Sequence, residues 1–193
     1  MSEAPPAAGA VQHGFLVDRP DEALARAKKE RRPLMVDFFG IWCPPCNALD
    51  ETVFSAQEFE RASEAFVKLK LDADRDTSWA LKERWRVGGY PTVIFANADG
   101  EEIDRIVGSR SLQEFIARTE DALAHQNQPR SVLEKLAAGD PEADRRLARL
   151  QIERQECAPV VERLEKRQAG NASTFTEMDR QLLSRARIGV AKE

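Results

Sequence analysis

The order of its predicted strands and helices places this chain in the α/β class. The apolar run Leu34–Phe39 precedes a helical pattern, and a turn at Gly100 separates two later strands, so the sheet should mix parallel and antiparallel pairs. After Gln126 the composition changes to Ala, Arg, Glu and Leu, which predicts an all-α extension. The prediction is a mixed sheet flanked by helices over residues 19–126, with a disordered tail over 1–18 and a helical C-terminal extension over 127–193.

The first elements of the α/β part have distinct sequence signals. A short helix is predicted over Pro20–Arg31 because of its apolar face and basic end, and Pro33 stops it. The nearly all-apolar Leu34–Phe39 predicts a strand covered on both faces. A helix should start at Cys43, be interrupted over Asp50–Phe54, and resume behind a Ser55–Glu58 capping box.

Alternation, turn residues and a second capping box define the remaining elements. The predicted order is β-α-β-α-β-β-α, preceded by the extra N-terminal helix. These elements are a strand at Phe66–Leu71, a helix at Trp79–Trp85, strands at Thr92–Ala96 and Glu101–Val107, and a helix from the Ser111–Glu114 box to about Ala124. In the extension, helices are predicted at Ser131–Ala138, Pro141–Glu156, Val160–Gln168 and Glu177–Ile188.

Composition and charge exclude several classes of function. The 193 residues carry 33 acidic and 29 basic groups, and a net charge of −4 does not favour binding to nucleic acid. No apolar run approaches the roughly 18 residues that a membrane span requires. Three cysteines are too few for a disulfide-stabilised scaffold.

The Ala/Pro-rich stretch Ser2–Ala10 lacks the basic start and apolar centre of a signal peptide. It is similar to the tether that remains after a signal has been removed, and equally to a native disordered tail. The periplasm or cell envelope is slightly favoured if a signal was removed, and the cytoplasm otherwise.

The segment Trp42-Cys43-Pro44-Pro45-Cys46 carries the strongest chemical signal. Two thiols two residues apart at the start of a helix can close a small disulfide ring. The N-terminal thiol then lies where free backbone N–H groups and the helix dipole stabilise a thiolate, which is the attacking species in thiol–disulfide exchange.

Two segments resemble the thioredoxin-fold disulfide reductases. Asp37–Cys46 resembles the strand and active-site segment of that family, and Gly89–Thr92 resembles its cis-proline loop. The region between them is closest to the branch that includes the C-terminal periplasmic domain of the reductase DsbD. The resemblance covers roughly Pro20 to Ala124 and does not extend into the helical extension.

The resemblance implies roles for four residues in the chemistry of the dithiol. Cys43 would be the exposed nucleophile and Cys46 the buried resolving thiol. Asp37 would be the buried acidic residue that assists proton transfer at the resolving cysteine, with Lys68 as its partner. Alternatively, Asp37 would be a strand-end residue whose carboxylate reaches solvent, and Lys68 would be a surface residue.

It also implies where a substrate is bound. Trp42 would flank the site, or else simply pack. Tyr90 and Pro91 would form one wall through a cis peptide bond, whereas an ordinary trans turn is the alternative on base rate. Gly108 would lie near the substrate groove.

The implied function is that of a protein-disulfide reductase or isomerase that needs no cofactor. Its expected partners are disulfide-containing proteins and an upstream electron donor, such as a membrane or soluble thiol reductase. Pro44 and Pro45 supply no N–H to the Cys43 thiolate, and this favours a reductant over an oxidant.

Two other functions remain open at this stage. The dithiol would be half of a zinc site if two of Cys157, His13 and His125 completed it. Alternatively, the domain would be a binding module whose helical extension docks a partner, with Cys157 as a structural thiol.

Overall fold

The computed structural model describes residues 11–170 and 172–192. It divides the chain into two compact units, Met1–Pro129 (the α/β unit) and Arg130–Glu193 (the helical unit). The boundary lies three residues after the predicted end of the α/β part at Gln126.

The α/β unit is built on a six-stranded mixed sheet with the order β1-β2-β4-β3-β5-β6. The pairs β2–β4 and β4–β3 are parallel, whereas the pairs β1–β2, β3–β5 and β5–β6 are antiparallel. The α/β prediction is therefore confirmed. The strands are β1 Val11–Gln12, β2 Phe15–Val17, β3 Leu34–Phe39, β4 Val67–Asp72, β5 Thr92–Ala96 and β6 Glu102–Val107.

Five α-helices flank this sheet, and the second continues directly into a π-helical segment over Asp50–Phe54. The sequence predicted that the helix starting at Cys43 is interrupted at these residues, and the π-helical segment is that interruption. The helices are α1 Pro20–Glu30, α2 Pro44–Leu49, α3 Gln57–Ser63, α4 Asp76–Trp85 and α5 Leu112–Ala124.

The central strand β3 is buried along its whole length and separates two apolar layers. Met35 lies in a layer that includes six phenylalanines and residues of the helices α3 and α5. Val36 and Phe38 lie in the opposite layer, with residues of α1 and α4. Because both faces of β3 are covered, the loop after Phe39 and the helix that follows it start from a rigid position.

The helical unit contains four α-helices and a short 3-10 turn among the described residues. Their carboxylates Asp144 and Asp179 are almost fully buried and are paired with arginines from neighbouring helices. The thiol of Cys157, which is not part of a disulfide, is buried in the main apolar cluster of this unit. The elements are α6 Arg130–Leu136, α7 Pro141–Glu153, α8 Ala158–Gly170, the turn Ala172–Thr174, and α9 Glu177–Val190.

The disordered tail was predicted too long. Residues 1–10 lie outside the described residues, but β1 and β2 fall within the predicted tail. Phe15–Val17 is fully buried, and Leu16 pairs with Leu69 of β4. Burial of three consecutive apolar side chains stabilises a strand that is too short to show a period-2 pattern.

Of the two predicted capping boxes, only one is present. Ser111 and Glu114 form a reciprocal box at the start of α5. The prediction at Ser55 was wrong, because the N-cap of α3 is Ala56 and the Ser55 hydroxyl donates to the Glu51 carbonyl at 2.7 Å. The π-helical segment occupies the residues before Ser55 and uses its hydroxyl.

Within residues 11–170 and 172–192, none of the helices is both long and apolar enough to cross a membrane.

We expect a chain that ends at Pro129 to fold by itself, because all six strands and both apolar layers lie before that residue. Far-UV circular dichroism and thermal unfolding should give a cooperative transition, with the full chain as the reference. A non-cooperative melt of the shortened chain would contradict the two-unit organisation.

Candidate active site

A disulfide between Cys43 and Cys46 lies in the connection from β3 to α2. Cys43 is the N-cap of α2, and Pro44 and Pro45 take its first two positions. The Cys43 N–H donates to the Gly40 carbonyl and the Cys46 N–H to the Cys43 carbonyl, each at 3.0 Å. A single turn of backbone therefore holds both sulfurs at the helix start, as the sequence predicted.

Both cysteines are buried in this disulfide form. Cys43 is 3% exposed and Cys46 is 2% exposed. The two cysteines form an apolar cluster with Phe39, and Tyr90 packs against that cluster. The expected exposure of Cys43 was therefore wrong for the oxidised protein, because aromatic side chains cover the sulfurs.

The loop from Gly89 to Thr92 lies beside the disulfide. The Tyr90–Pro91 peptide bond is cis. The Gly108 N–H donates to the Pro91 carbonyl at 2.8 Å, and Gly108 has a φ of +78°, a conformation that favours glycine. The structure thus brings Pro91 and Gly108 together next to Tyr90, which packs against the cysteines.

Trp42 is 59% exposed, yet its ring has contacts on three sides. Its indole N–H donates to the Asp74 carboxylate at 2.6 Å, and its ring meets that of Tyr90 edge to face with centroids 5.9 Å apart. A Cβ at Gly40 would lie only 2.8 Å from the Trp42 ring. Trp42 is therefore an oriented aromatic surface beside Cys43, and Asp74 is a site residue that the sequence analysis missed.

A buried lysine lies between two carboxylates beneath the disulfide. Lys70 is 1% exposed, and its ammonium lies 3.5 Å from Asp37 Oδ2 and also contacts Asp50 Oδ1. Asp37 and Lys70 are direct neighbours on the parallel strands β3 and β4. The Asp50 N–H donates to the Cys46 carbonyl, so Asp50 follows the second cysteine by one helical turn.

Lys70, and not Lys68, is the partner of Asp37. Lys68 lies two residues earlier on β4, opposite Met35, and one such repeat moves a side chain by roughly 7 Å. Its ammonium is 3.3 Å from the Ser63 hydroxyl and lies over the rings of Phe15 and Phe59. The two lysines share one face of the strand, so only the register distinguishes them.

The environment of Asp37 raises its pKa to about 6. Burial is the main cause, and the Asp50 carboxylate acts in the same direction, while Lys70 opposes them. Asp37 Oδ1 is buried and has no hydrogen-bond partner among the described residues. The Lys70 ammonium also lies 4.7 Å from the centre of the Phe39 ring, which packs with both cysteines. A carboxyl group with a pKa of about 6 is thus connected to the disulfide through two side chains, those of Lys70 and Phe39.

The described part of the chain offers no ligand set for the zinc alternative. Cys43 and Cys46 are bonded to each other, and no group of three His, Cys, Asp or Glu side chains there is placed to hold a metal. His125 is paired with Asp121, and Cys157 is buried in the helical unit.

Comparisons with known proteins, made independently of the site geometry, identify the family to which this chain is similar. The family described as thioredoxin-like domain matches residues 20–123. The thiol:disulfide interchange protein DsbD of Cronobacter sakazakii is 37% identical over 111 residues, which are 55% of this chain and 19% of that protein. DsbD of Ralstonia nicotianae is 33% identical over 123 residues, 62% of this chain and 20% of that protein. The chain thus spans about a fifth of the length of these relatives.

A solved thioredoxin from Thermus thermophilus is similar in both sequence and structure. It is 31% identical, with a TM-score of 0.54, and the match covers 60% of this chain and 92% of that one. The family match over residues 20–123 shows that the chain belongs to the thioredoxin-like domain family, and the Cys43–Cys46 disulfide places a CxxC pair at the start of α2 in that domain.

Proposed function

We propose that this protein reduces disulfides in other proteins through the Cys43/Cys46 dithiol. An upstream thiol donor then returns the disulfide to the dithiol. The observation that carries the direction of the reaction is the pair Pro44-Pro45 at the first two positions of α2. The similarity to proteins named thiol:disulfide interchange protein supports the type of partner.

The reaction proceeds by two exchange steps. The Cys43 thiolate attacks one sulfur of the substrate disulfide, forming a mixed disulfide and releasing the other substrate sulfur as a thiolate. The Cys46 thiolate then attacks Cys43 Sγ, which breaks the mixed disulfide and releases the second substrate thiolate. The substrate gains two electrons and two protons, and the protein is left with its Cys43–Cys46 disulfide.

The two prolines weaken the stabilisation of the Cys43 thiolate. At the start of a helix the first backbone N–H groups have no helical acceptor and are free to bind an anion. Here the first two are absent, and the third, that of Cys46, donates to the Cys43 carbonyl in the disulfide form. A less stabilised thiolate makes the dithiol form less favoured, so the protein is a stronger reductant.

Cys43 acts first because it is the N-cap of α2, whereas Cys46 lies one turn further into the helix. Trp42 and the Tyr90–Pro91 wall flank the first cysteine. An extended substrate segment pairs with the backbone of this wall, and Gly108, with no side chain, leaves room beside it.

We assign to Asp37 the role of proton acceptor for the Cys46 thiol in the resolving step. A carboxyl group with a pKa of about 6 is mostly ionised at neutral pH and binds a proton at small cost. Lys70 holds Asp37 in place and also holds Asp50, which follows Cys46 by one turn. Asp37, Lys70 and Asp50 therefore act as one unit beneath the resolving cysteine.

Replacement of Cys43 by Ser should reduce the rate of insulin disulfide reduction to that of the reductant alone, because the thiol that attacks the substrate is absent. Cys46→Ser should instead accumulate the mixed disulfide, detectable by mass spectrometry of the intact protein. Turbidity from the precipitated insulin chain reports the rate with dithiothreitol as the donor.

Cys157→Ser is the matched control, since it removes the thiol in the helical unit and should leave the rate unchanged. Full activity in Cys43→Ser would reject the mechanism. A wild-type protein that does not accelerate the reaction would favour the binding-module alternative.

The Asp37→Asn variant should become more stable relative to wild type as the pH rises from 4 to 7. The folded-state pKa of about 6 lies above the ordinary aspartate value of 3.8, so the folded protein holds the proton more tightly than the unfolded chain. The ionised carboxylate then costs about 3 kcal/mol by neutral pH, and asparagine avoids this cost. Urea unfolding of the disulfide form at several pH values measures the difference.

Glu30→Gln provides the contrasting control. Hydrogen bonding from Arg32 lowers the pKa of the exposed Glu30. The Glu30→Gln variant should therefore not become more stable relative to wild type as the pH rises. If the difference between Asp37→Asn and wild type were independent of pH, Asp37 would titrate normally and its assigned role would be wrong.

A further inference from the structure

Several large apolar side chains of the α/β unit are exposed to solvent. Among its described residues 11–129 they are Ile41, Trp42 and Trp79, which are 48%, 59% and 61% exposed. Ile41 and Trp42 directly precede Cys43. Adjacent exposed apolar side chains such as Ile41 and Trp42 are characteristic of a surface that binds a partner.

Trp79 lies on α4, outside the segments that form the disulfide site, yet its helix is attached to that site. Lys82, three residues later and on the same side of α4, lies over the Tyr90 ring at 5.5 Å and donates to the Ala73 carbonyl at 2.9 Å. Long side chains in a helix lean toward its N-terminus, so the Trp79 indole covers the first turn of α4.

The loop before that first turn carries the contact to Trp42. Asp74, two residues before α4 begins, accepts the hydrogen bond from the Trp42 indole. Trp42 contacts Asp74 directly, and Trp79 follows Asp74 by five residues, on the helix whose Lys82 lies over Tyr90. We call Tyr90, Trp42 and Trp79 the aromatic surface: Tyr90 and Trp42 are in contact beside Cys43, and Trp79 is an exposed indole on the adjoining helix.

We infer that Trp79 is a specificity-determining residue that binds a bulky apolar side chain of the substrate near its reacting cysteine. The inference rests on the proposed reduction of protein disulfides. A substrate sulfur bonded to Cys43 fixes the substrate chain at one end of the aromatic surface. Two residues of extended chain span roughly 7 Å, which carries the following side chains toward α4.

The chemistry of the surface selects the occupant. Trp42 and Trp79 present indole faces and edges, and Ile41 adds an aliphatic group, so leucine, isoleucine or an aromatic residue would be buried there on binding. A serine at the same place would bury little apolar area. Substrates with apolar residues next to the cysteine should therefore react faster than those with small polar residues.

The test uses the full chain, reduced beforehand, and two synthetic peptides that each contain one intramolecular disulfide. The peptides are identical except for leucines or serines at the two positions on either side of the cysteines. Acid quenching and chromatography give the second-order rate constant of reduction. Wild type should prefer the leucine peptide by about tenfold, the size expected from burial of one apolar side chain.

Trp79→Ala should lower the rate with the leucine peptide by about tenfold and change the rate with the serine peptide less than about twofold. Trp79→Phe should retain most of the preference. Met178→Ala, which removes a side chain that is 58% exposed in the helical unit, is the matched control and should behave like wild type. The thermal unfolding midpoint of each variant verifies that it remains folded.

A Trp79→Ala variant that keeps the wild-type preference, or loses rate equally with both peptides, would overturn the inference while leaving the reductase activity established. A wild-type protein that reduces neither peptide would instead reject the proposed function, and the inference with it.

Discussion

The buried Lys70 ammonium is the charge on which the arrangement of the site depends. Removal of an ammonium group from water costs several kcal/mol unless carboxylates compensate it. Lys70 is 1% exposed, and the compensation comes from Asp37 on β3 and Asp50 after α2. These contacts hold the β3–β4 register and join the disulfide-bearing helix to the centre of the sheet. The need to compensate the buried Lys70 charge thus helps to fix the position of the cysteines.

The same contacts provide the chemistry of the site. Burial is the main reason why one of the two carboxylates beside Lys70 binds a proton more readily than it would in water, and the second carboxylate adds to this effect. That carboxyl group is Asp37, whose pKa is raised to about 6, and Asp50 follows Cys46 by one turn. Pro44 and Pro45 act at the other end of the disulfide, where they remove N–H groups that would stabilise the Cys43 thiolate. We infer that two parts of the chain control this chemistry separately. The contacts of Asp37 set the proton affinity of its carboxylate, whereas Pro44 and Pro45 set the stability of the Cys43 thiolate.

Local sequence patterns were sufficient to predict most of the fold and the dithiol, and the errors have physical reasons. A nearly all-apolar β3 and a dithiol at the start of a helix are each determined within about ten residues. The choice between Lys68 and Lys70 depends on the register between two strands, which no local pattern fixes. Asp74 reaches Trp42 across 32 positions, and Ser55 is taken by a π-helical segment whose bonding differs from that of an α-helix.

The equilibrium redox potential of the Cys43/Cys46 pair tests the central claim, that this site is built as a reductant, most directly. Titration of the full chain against defined ratios of reduced and oxidised dithiothreitol or glutathione, followed by thiol alkylation and mass spectrometry, gives the value. The account predicts a potential near about −270 mV, the reducing end of the range for such sites. A potential above about −180 mV would mean that the missing N–H groups of Pro44 and Pro45 do not control the thiolate, and would contradict the claim.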